Sequence, residues 1–363
     1  MAAIPGSRTA LRTLALLMVF PLAGCTGTGG TQAPASASGT TPTAATPSEA
    51  PSTSAPAEEI GEHKLVFAHI TADTFPYQDG GEKFKELIEA SSDGKMTVEV
   101  FCCGQLGAEI EIEEQILEGS VHFGVGAGGL ATFAPIMNIF ELLLLIKDQE
   151  HMQRIIDSPV VDDVASRLEE ADFKVVGWFS TGNMVLQTKT PIVEPSDLAG
   201  IKMRVIQNPA LVDGFTALGA APVPLPFPEV YTSIQQGVVD AAHFDWGSVA
   251  ASKIYELIDY STGPETNFLA EPRPVIMSLA FWDSLNGTEQ ALIVDAMEEA
   301  AAYEREVAIK NLEESIIAVK DFGVEFTVIN EAAFLEKIAP VWDKWAKQLD
   351  AEDLLEQIKD LRP

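Results

Sequence analysis

The stretch IKMRVIQNPALVDGFTALGAAPVPLPFPEVYTSIQQGVVDAAH, residues 201–243, alternates short apolar runs with helical segments. Its hydrophobic spacing predicts, in order, a strand, two helices and a strand: 201–206, 210–218, 227–236 and 238–243. Strands that alternate with helices are typical of a parallel sheet covered by helices. The stretch therefore predicts an α/β fold, and it places Arg204 among apolar neighbours.

The same alternation extends over the rest of the chain from about residue 63. The further predicted strands are 64–69, 96–101, 121–125, 175–179 and 185–188. The further predicted helices are 81–91, 109–118, 288–320 and 331–349. This order predicts two α/β lobes joined by crossing strands and by one unusually long helix. We expect lobe I to comprise 62–181 and 270–311, and lobe II to comprise 182–269 and 312–363.

The charge of the chain argues against a nucleic-acid partner. Its 363 residues include 54 acidic and 23 basic side chains, which give a formal net charge of -31. Phosphate binding depends on clustered Lys and Arg, and no basic stripe occurs in the sequence. Salt screens exposed charges beyond roughly 8 Å, so one arginine can still dominate its own surroundings.

The first 25 residues predict a lipoprotein signal peptide. Arg8 and Arg12 form a positive segment, an apolar run extends to Phe20, and Leu-Ala-Gly-Cys ends at Cys25. This tetrapeptide looks like a bacterial lipobox, whose cysteine is acylated; an ordinary secretory signal is the alternative. Two acyl chains suffice for stable anchoring. We therefore expect an extracytoplasmic protein, lipid-anchored to the outer face of the cytoplasmic membrane.

Residues 26–61 predict a disordered tether. As far as residue 57 they are rich in Thr, Ser, Ala, Gly and Pro and contain no aromatic or basic residue. Such a composition buries too little apolar surface to fold. The two remaining cysteines, Cys102 and Cys103, are adjacent, and both a vicinal disulfide and two free thiols are compatible with the sequence.

Motifs for catalysis, metal binding or cofactor binding are sparse. The five histidines show no metal-ligand spacing, and neither a Gly-x-Ser-x-Gly elbow nor a Walker-type loop occurs. The run GVGAGG, 124–129, matches the dinucleotide motif G-x-G-x-x-G by letter. An exported lipoprotein meets little NAD, so we prefer a tight strand-to-helix turn near the lobe interface. The sequence predicts neither a cofactor nor a metal.

Several short elements occur together in one order along the chain: GQLG at 104–107, FAP at 133–135, GIKMRV at 200–205, PVP at 222–224, EVY at 229–231 and QGVVD at 236–240. From about residue 63 to its end the chain resembles the dicarboxylate-binding type of TRAP transporter solute-binding subunits. The resemblance implies a two-lobed, type II-like periplasmic-binding-protein fold. It also implies a receptor that closes on an organic anion and delivers it to TRAP membrane permease subunits.

The resemblance assigns Arg204 to the ligand. In the family the matching arginine forms a two-pronged salt bridge with the ligand carboxylate in the cleft between the lobes. A guanidinium group suits this role because it is planar, always charged and offers paired donors. Strand alternation places Lys202 and Arg204 on one face and Met203 and Val205 on the other. A solvated strand arginine is the alternative.

Further cleft residues follow from the same resemblance. Phe227 matches a family aromatic that packs on the ligand, although ordinary core packing is the alternative. Phe244 lies where family members place an Asn or a Trp that reaches into the cleft. The predicted ligand-binding set is completed by Met184, Asn183, Gln207, His69 and Trp246.

Three departures from the family pattern bear on the ligand. Met184 replaces a second arginine and is apolar and adaptable. The sequence AHF at 242–244 lacks the glutamate that accompanies a metal in 2-oxo-acid binders. LLL at 142–144 replaces the usual Leu-Pro-Phe and is expected to alter packing near Phe140. We therefore expect a monocarboxylate with an apolar or aromatic body, not a short dicarboxylate.

Three other functions are compatible with the sequence. One is a receptor for an ABC-type importer. Another is a secreted α/β enzyme in which Asp240, His243 and Asp245 act as acid–base groups. The third is a ligand-sensing partner of a signalling protein.

Overall fold

The computed structural model of the protein describes residues 58–363. The predicted lipobox at Cys25 and most of the predicted tether lie outside these residues. The strands are β1 (His63–Ala68), β2 (Met96–Phe101), β3 (Phe123–Val125), β4 (Phe173–Ser180), β5 (Met184–Thr188), β6 (Lys202–Val205), β7 (Ala221–Pro224), β8 (Ala241–Asp245), β9 (Tyr260–Thr262), β10 (Pro272–Ser278) and β11 (Glu325–Thr327).

Eleven α-helices alternate with the strands or follow them in the described residues. They are α1 (Pro76–Ser91), α2 (Glu109–Glu118), α3 (Gln149–Ile156), α4 (Pro159–Glu169), α5 (Pro209–Ala217), α6 (Val230–Gln235), α7 (Trp246–Ser252), α8 (Leu279–Ser284), α9 (Gly287–Phe322), α10 (Glu331–Gln348) and α11 (Glu352–Asp360). In the part of the chain that the structure describes, no helix combines the length and hydrophobicity needed to cross a membrane.

The described strands form two sheets, each the centre of one lobe. The first sheet has the order β2-β1-β3-β10-β4 and builds lobe I, and the second has the order β11-β9-β5-β8-β6-β7 and builds lobe II. The core of lobe I contains a cluster of aromatic rings, in which the centroids of Phe84 and Phe123 lie 4.9 Å apart. The predicted α/β class is confirmed, while the exact division at residues 311 and 312 stays a prediction.

The sheets are mixed, whereas the sequence pattern predicted parallel pairing. In lobe I, β10 runs antiparallel to both β3 and β4. In lobe II, β5 runs antiparallel to both β8 and β9. Strand β5 directly follows the segment 181–183, and β10 directly follows the segment 263–271. Along each of these segments the chain passes from one sheet to the other. A strand that arrives from the other lobe has no crossover helix to impose parallel pairing.

The long helix α9 contacts both lobes. It has 36 residues, begins after Asn286, whose side chain accepts hydrogen bonds from the first-turn amides, and ends at Gly323 with φ 110°. It packs against α1 and β4 of lobe I and against α7 of lobe II. The predicted helix over 288–320 is thus confirmed, and its length serves to span the two lobes.

The C-terminal helices secure a buried apolar segment, 142–146. Trp342 on α10 donates from Nε1 to the carbonyl oxygen of Leu143 at 2.9 Å. Helix α11 follows α10 and was not among the helices predicted from the sequence. His151 on α3 contacts the carbonyl oxygen of Ile358 at 2.7 Å, so the C-terminus also packs on lobe I.

The glycine-rich run 124–129 serves close packing. A Cβ on Gly126 would lie 2.6 Å from Leu130, and one on Gly128 would lie 2.9 Å from Ile206 of lobe II. None of these glycines has positive φ, and a short 3-10 helix, Gly128–Thr132, follows. The expected lobe-interface position is correct, but the reason for glycine is space and not turn conformation. Cys102 and Cys103 form a vicinal disulfide.

Candidate ligand-binding site

A cleft lies between the two lobes and encloses about 870 Å³, including the part open to solvent. Its lobe I side presents residues from the loop after β1, from α2 and from β10, and its lobe II side presents residues from β6, the loop after β7, and β8. The apolar lining includes Ile70, Phe75, Tyr77, Ile110, Val125, Met184, Ile206, Leu225, Phe227 and Phe244. The polar lining includes His69, Thr71, Glu109, Thr181, Gln207, Arg204, His243, Asp245, Ser248 and Arg273.

Arg204 projects into this cleft from β6, which lies between β7 and β8. Its side chain is 2% exposed, and its guanidinium carbon lies 5.0 Å from the centre of the Phe244 ring. Nε and Nη2 donate to the carbonyl oxygen of Leu225 at 3.1 and 2.9 Å. Among residues 58–363 no carboxylate lies within 4.0 Å of this guanidinium. Its charge is therefore open to a ligand.

Burial lowers the pKa of Arg204 to about 9, and the charge of Glu109 raises it again in part. The group is therefore a cation at neutral pH. Met203 and Val205, its strand neighbours, are fully buried on the other side of the sheet. The predicted alternation is correct, but Arg204 is buried as well, because it lies in the cleft between the lobes.

An aromatic wall stands beside the arginine. The rings of Phe227 and Phe244 meet edge to face, with centroids 5.6 Å apart and an interplanar angle of 82°. Met184 also lines the cleft, at the start of β5. These side chains offer a ligand dispersion contacts and no hydrogen bonds.

Two buried histidines line the cleft as neutral groups. Burial and the charge of Arg204 lower the pKa of His243 to about 3. Its Nδ1 lies 3.3 Å from the carbonyl oxygen of Arg204, which can only accept, so Nδ1 carries the proton. Burial also lowers the pKa of His69, whose Nδ1 contacts Thr71 at 2.9 Å and whose Nε2 contacts Gln78 at 3.0 Å.

Carboxyl groups and a second arginine complete the polar lining, and the sequence interpretation missed two of these residues, Arg273 and Glu109. Arg273 on β10 is 3% exposed and pairs with Glu271, and its Nη1 lies 3.8 Å from Glu141. Glu109 lines the cleft from the start of α2. No local signal marked Arg273, because Pro272 and Pro274 on either side argue against a strand there.

The structure brings six of the eight predicted ligand-binding residues to the cleft: His69, Met184, Arg204, Gln207, Phe227 and Phe244. Trp246 does not line it, because the chain turns into α7 there and buries the ring against Phe326 at 5.1 Å. Asn183 lies in the crossing segment, where it accepts a hydrogen bond from Gln149. No group of three or more His, Cys, Asp or Glu residues in 58–363 is arranged to hold a metal ion.

Residues 67–348 match the family model for bacterial extracellular solute-binding protein, family 7. The chain belongs to this family. The C4-dicarboxylate-binding periplasmic protein of Rhodobacter capsulatus is 30% identical over 298 residues, which cover 80% of this chain and 88% of that protein. The predicted TRAP-type receptor is confirmed. Because members of this family are extracytoplasmic solute receptors, the protein is a receptor and not an enzyme.

Solved structures share the two-lobed fold. A TRAP periplasmic solute-binding protein from Bradyrhizobium, in complex with α/β-D-galacturonate, superposes with a TM-score of 0.78 at 29% identity and covers 82% of this chain and all of its own. A homologue from a Bordetella species, whose ligand density is interpreted as pantoate, superposes with a TM-score of 0.78 at 25% identity and covers 83% of this chain and all of its own.

Proposed function

We propose that this TRAP receptor binds an organic monocarboxylate with an apolar or aromatic body. The observation that carries the proposal is the buried guanidinium of Arg204, which has no protein carboxylate within 4.0 Å in the described chain. Arg204 has five N–H donors, and two of them donate to the carbonyl oxygen of Leu225. The remaining donors, at Nη1 and Nη2, form a fork that fits one carboxylate.

The rest of the cleft suits an apolar body. Beyond the carboxylate, the ligand would lie against Met184 and the edge-to-face pair Phe227 and Phe244. A second carboxylate would face Arg273, whose charge is already compensated by Glu271 and Glu141. The galacturonate and pantoate of the two related structures each have one carboxylate, which supports one anionic anchor.

Ligand binding would favour closure of the lobes. Arg204 belongs to lobe II, while His69 and Tyr77 belong to lobe I, so a ligand that contacts both sides stabilises the closed arrangement. The crossing segments 181–183 and 263–271 are the short connections about which the lobes would hinge. A closed, loaded receptor would then dock to the permease and release the anion.

A ligand panel tests this proposal. We would identify any copurified small molecule by mass spectrometry and measure thermal shifts with 3-phenylpropionate, isovalerate, D-galacturonate and succinate. Shifts with the first two would support the proposal. A shift with D-galacturonate alone would identify a sugar-acid receptor, and a shift with succinate alone a dicarboxylate receptor; either result would overturn it.

We also propose that Cys25 carries the lipid anchor. The support is the positive segment, the apolar run and the Leu-Ala-Gly-Cys tetrapeptide that ends there. Cys25→Ala should abolish incorporation of labelled palmitate and move the protein from the membrane fraction to the soluble fraction. Retention of label by this variant would contradict the proposal.

A further inference from the structure

The vicinal disulfide between Cys102 and Cys103 lies in the loop that joins β2 to α2. Cys103 is exposed, and Cys102 is half-buried. Members of this family are extracytoplasmic, and disulfides persist in such an environment. The proposed carboxylate site uses neither sulfur. Exposed disulfides are typically the labile ones, whereas structural disulfides resist reduction.

The disulfide closes a turn that a cysteine does not ordinarily adopt. The N–H of Gln105 donates to the carbonyl oxygen of Cys102 at 3.0 Å, and the central residues, Cys103 and Gly104, have φ of 63° and 66°. Positive φ at both central positions is typical of a type I′ turn, in which Gly, Asn and Asp predominate. A residue with a Cβ is disfavoured there, so Cys103 needs a restraint. Its covalent link to Cys102 supplies one, because a cross-link removes conformations from the chain that it closes.

The same turn supports one wall of the ligand cleft. The N–H of Cys103 donates to the carbonyl oxygen of Thr71 at 2.8 Å, and that of Gly104 donates to the carbonyl oxygen of His69 at 3.4 Å. His69 and Thr71 both line the cleft from lobe I. On its other side the loop leads into the start of α2, which lines the cleft as well. The disulfide therefore lies between two cleft-lining segments.

We propose that Cys102 and Cys103 form a thiol–disulfide exchange site through which an extracytoplasmic dithiol lowers the affinity of the cleft for its ligand. A thiolate of the dithiol attacks Sγ of Cys103, the exposed sulfur, and the bond to Sγ of Cys102 breaks. The second thiolate of the dithiol then attacks its partner sulfur in this mixed disulfide and releases Cys103. The dithiol is oxidised to a disulfide, and the receptor gains two electrons and two protons.

Gln105 favours this direction of attack. Its Nε2 lies 3.8 Å from Sγ of Cys102 and donates to that sulfur. This donor stabilises the thiolate that leaves, and a more stable leaving thiolate makes the exchange faster. Once the bond is broken, Cys103 is free to leave the left-handed region, and its N–H then separates from Thr71. We therefore expect the segments 69–71 and 102–110 to loosen while the rest of lobe I stays folded.

Alkylation of the full chain tests the chemical step. The variant Cys25→Ala leaves Cys102 and Cys103 as the only cysteines. Dithiothreitol followed by N-ethylmaleimide should label both cysteines of the native protein without urea. Glutathione followed by N-ethylmaleimide should place glutathione on Cys103. Labels that appear only in urea would identify a structural disulfide and overturn the proposal, and glutathione on Cys102 would overturn the direction of attack.

Hydrogen exchange tests the structural step and needs no ligand. Reduction should accelerate exchange in peptides covering 69–71 and 102–106 roughly 10-fold or more, because local opening exposes their backbone N–H groups. Peptides from β4 are the internal control and should not change. The double variant Cys102→Ser, Cys103→Ser should exchange rapidly with or without dithiothreitol. Equal exchange of the oxidised and reduced forms in these segments would overturn the proposal.

Titration calorimetry tests the effect on the cleft, with 3-phenylpropionate and D-galacturonate as probes. Affinity for the probe that binds should fall roughly 10-fold on reduction and return on reoxidation, a cost similar to that of ordering one residue. The double serine variant should bind weakly and be insensitive to dithiothreitol. Equal affinities of the two redox forms would overturn this inference and leave the proposed function intact.

The inference goes beyond the proposed function and does not depend on the chemistry of the ligand. If D-galacturonate alone binds, the proposed apolar body is wrong, and the redox dependence of that binding still decides the inference. If neither probe binds, the proposed function fails, and hydrogen exchange decides the inference by itself.

Discussion

The carbonyl oxygen of Leu225 accepts two hydrogen bonds from Arg204, from Nε at 3.1 Å and from Nη2 at 2.9 Å. Leu225 is itself fixed, because its N–H donates to the carbonyl oxygen of Val205 at 3.1 Å. The guanidinium plane is therefore oriented before a ligand arrives. A preorganised donor loses less conformational entropy on binding than a mobile one.

Replacing Arg204 should strongly weaken the affinity of the protein for its carboxylate ligand. Arg204→Ala should weaken binding of a monocarboxylate about 100-fold or more, the loss typical for one partner of a buried charge pair. Arg204→Lys should also weaken it, by about 10-fold, because an ammonium group is a point charge without a planar fork. Lys202→Ala on the same strand is the control, since its side chain is half-exposed and pairs with Asp240. Titration calorimetry decides, and equal affinities for the Lys variant and the native protein would refute the bidentate geometry.

The contact between Gly128 and Ile206 should limit how closely the lobes approach. A methyl group on Gly128 would lie 2.9 Å from Ile206 of lobe II and 3.0 Å from Glu141. Gly128→Ala should force these neighbours apart at a cost of about 1–3 kcal/mol and weaken ligand binding roughly 10-fold. Gly287→Ala is the control, because its nearest neighbouring atom lies 3.8 Å away. Calorimetry that gives the same affinity for both variants would show that the lobes adjust freely.

Arg204 and two of the helices illustrate what the sequence could predict. Local patterns located the strand that carries Arg204, and the family resemblance supplied its role, which the burial and the open charge now support. The helices over 109–118 and 288–320 were also predictable, because hydrophobic spacing and terminal residues determine such elements locally.

Arg273 and β10 illustrate what the sequence could not predict. Pro272 and Pro274 argue against a central strand, yet β10 lies between β3 and β4. The partners of this strand are about 100 to 150 residues away, so no local pattern reveals the pairing. Trp246 shows the same limit, since its burial depends on the distant Phe326.

Glu304 should make the stability of the protein depend on pH. Burial raises its pKa to about 8, against an ordinary value of 4.5, while its Oε2 accepts from the N–H of Ser180 at 3.0 Å. Below about pH 4.5 both states are protonated. As the pH rises towards 8, only the unfolded state ionises, so the folded state loses stability.

The variant Glu304→Gln should remove the part of the pH dependence of stability that arises from the Glu304 carboxyl group. At pH 8 its melting temperature should exceed that of the native protein by about 3 °C or more, and at pH 4 the two should be similar. Glu306→Gln, an exposed residue of the same helix, is the control and should follow the native protein. Calorimetric scans at several pH values test this, and parallel curves for native and Glu304→Gln proteins would exclude a raised pKa.

Arg362 should stabilise the buried segment beneath the C-terminal helices. Its Nη2 donates to the carbonyl oxygens of Leu144 and Leu145, at 2.5 and 3.2 Å. Leu144 has φ 60°, a left-handed conformation that costs a leucine roughly 1–2 kcal/mol and so depends on such contacts. Arg362→Ala leaves these carbonyls without the arginine and should destabilise the fold by about 1–3 kcal/mol. Lys359→Ala, which removes an i,i+3 ion pair with Glu356, should cost less than about 1 kcal/mol. Urea unfolding measures both, and equal midpoints for the two variants would show that other contacts hold the segment.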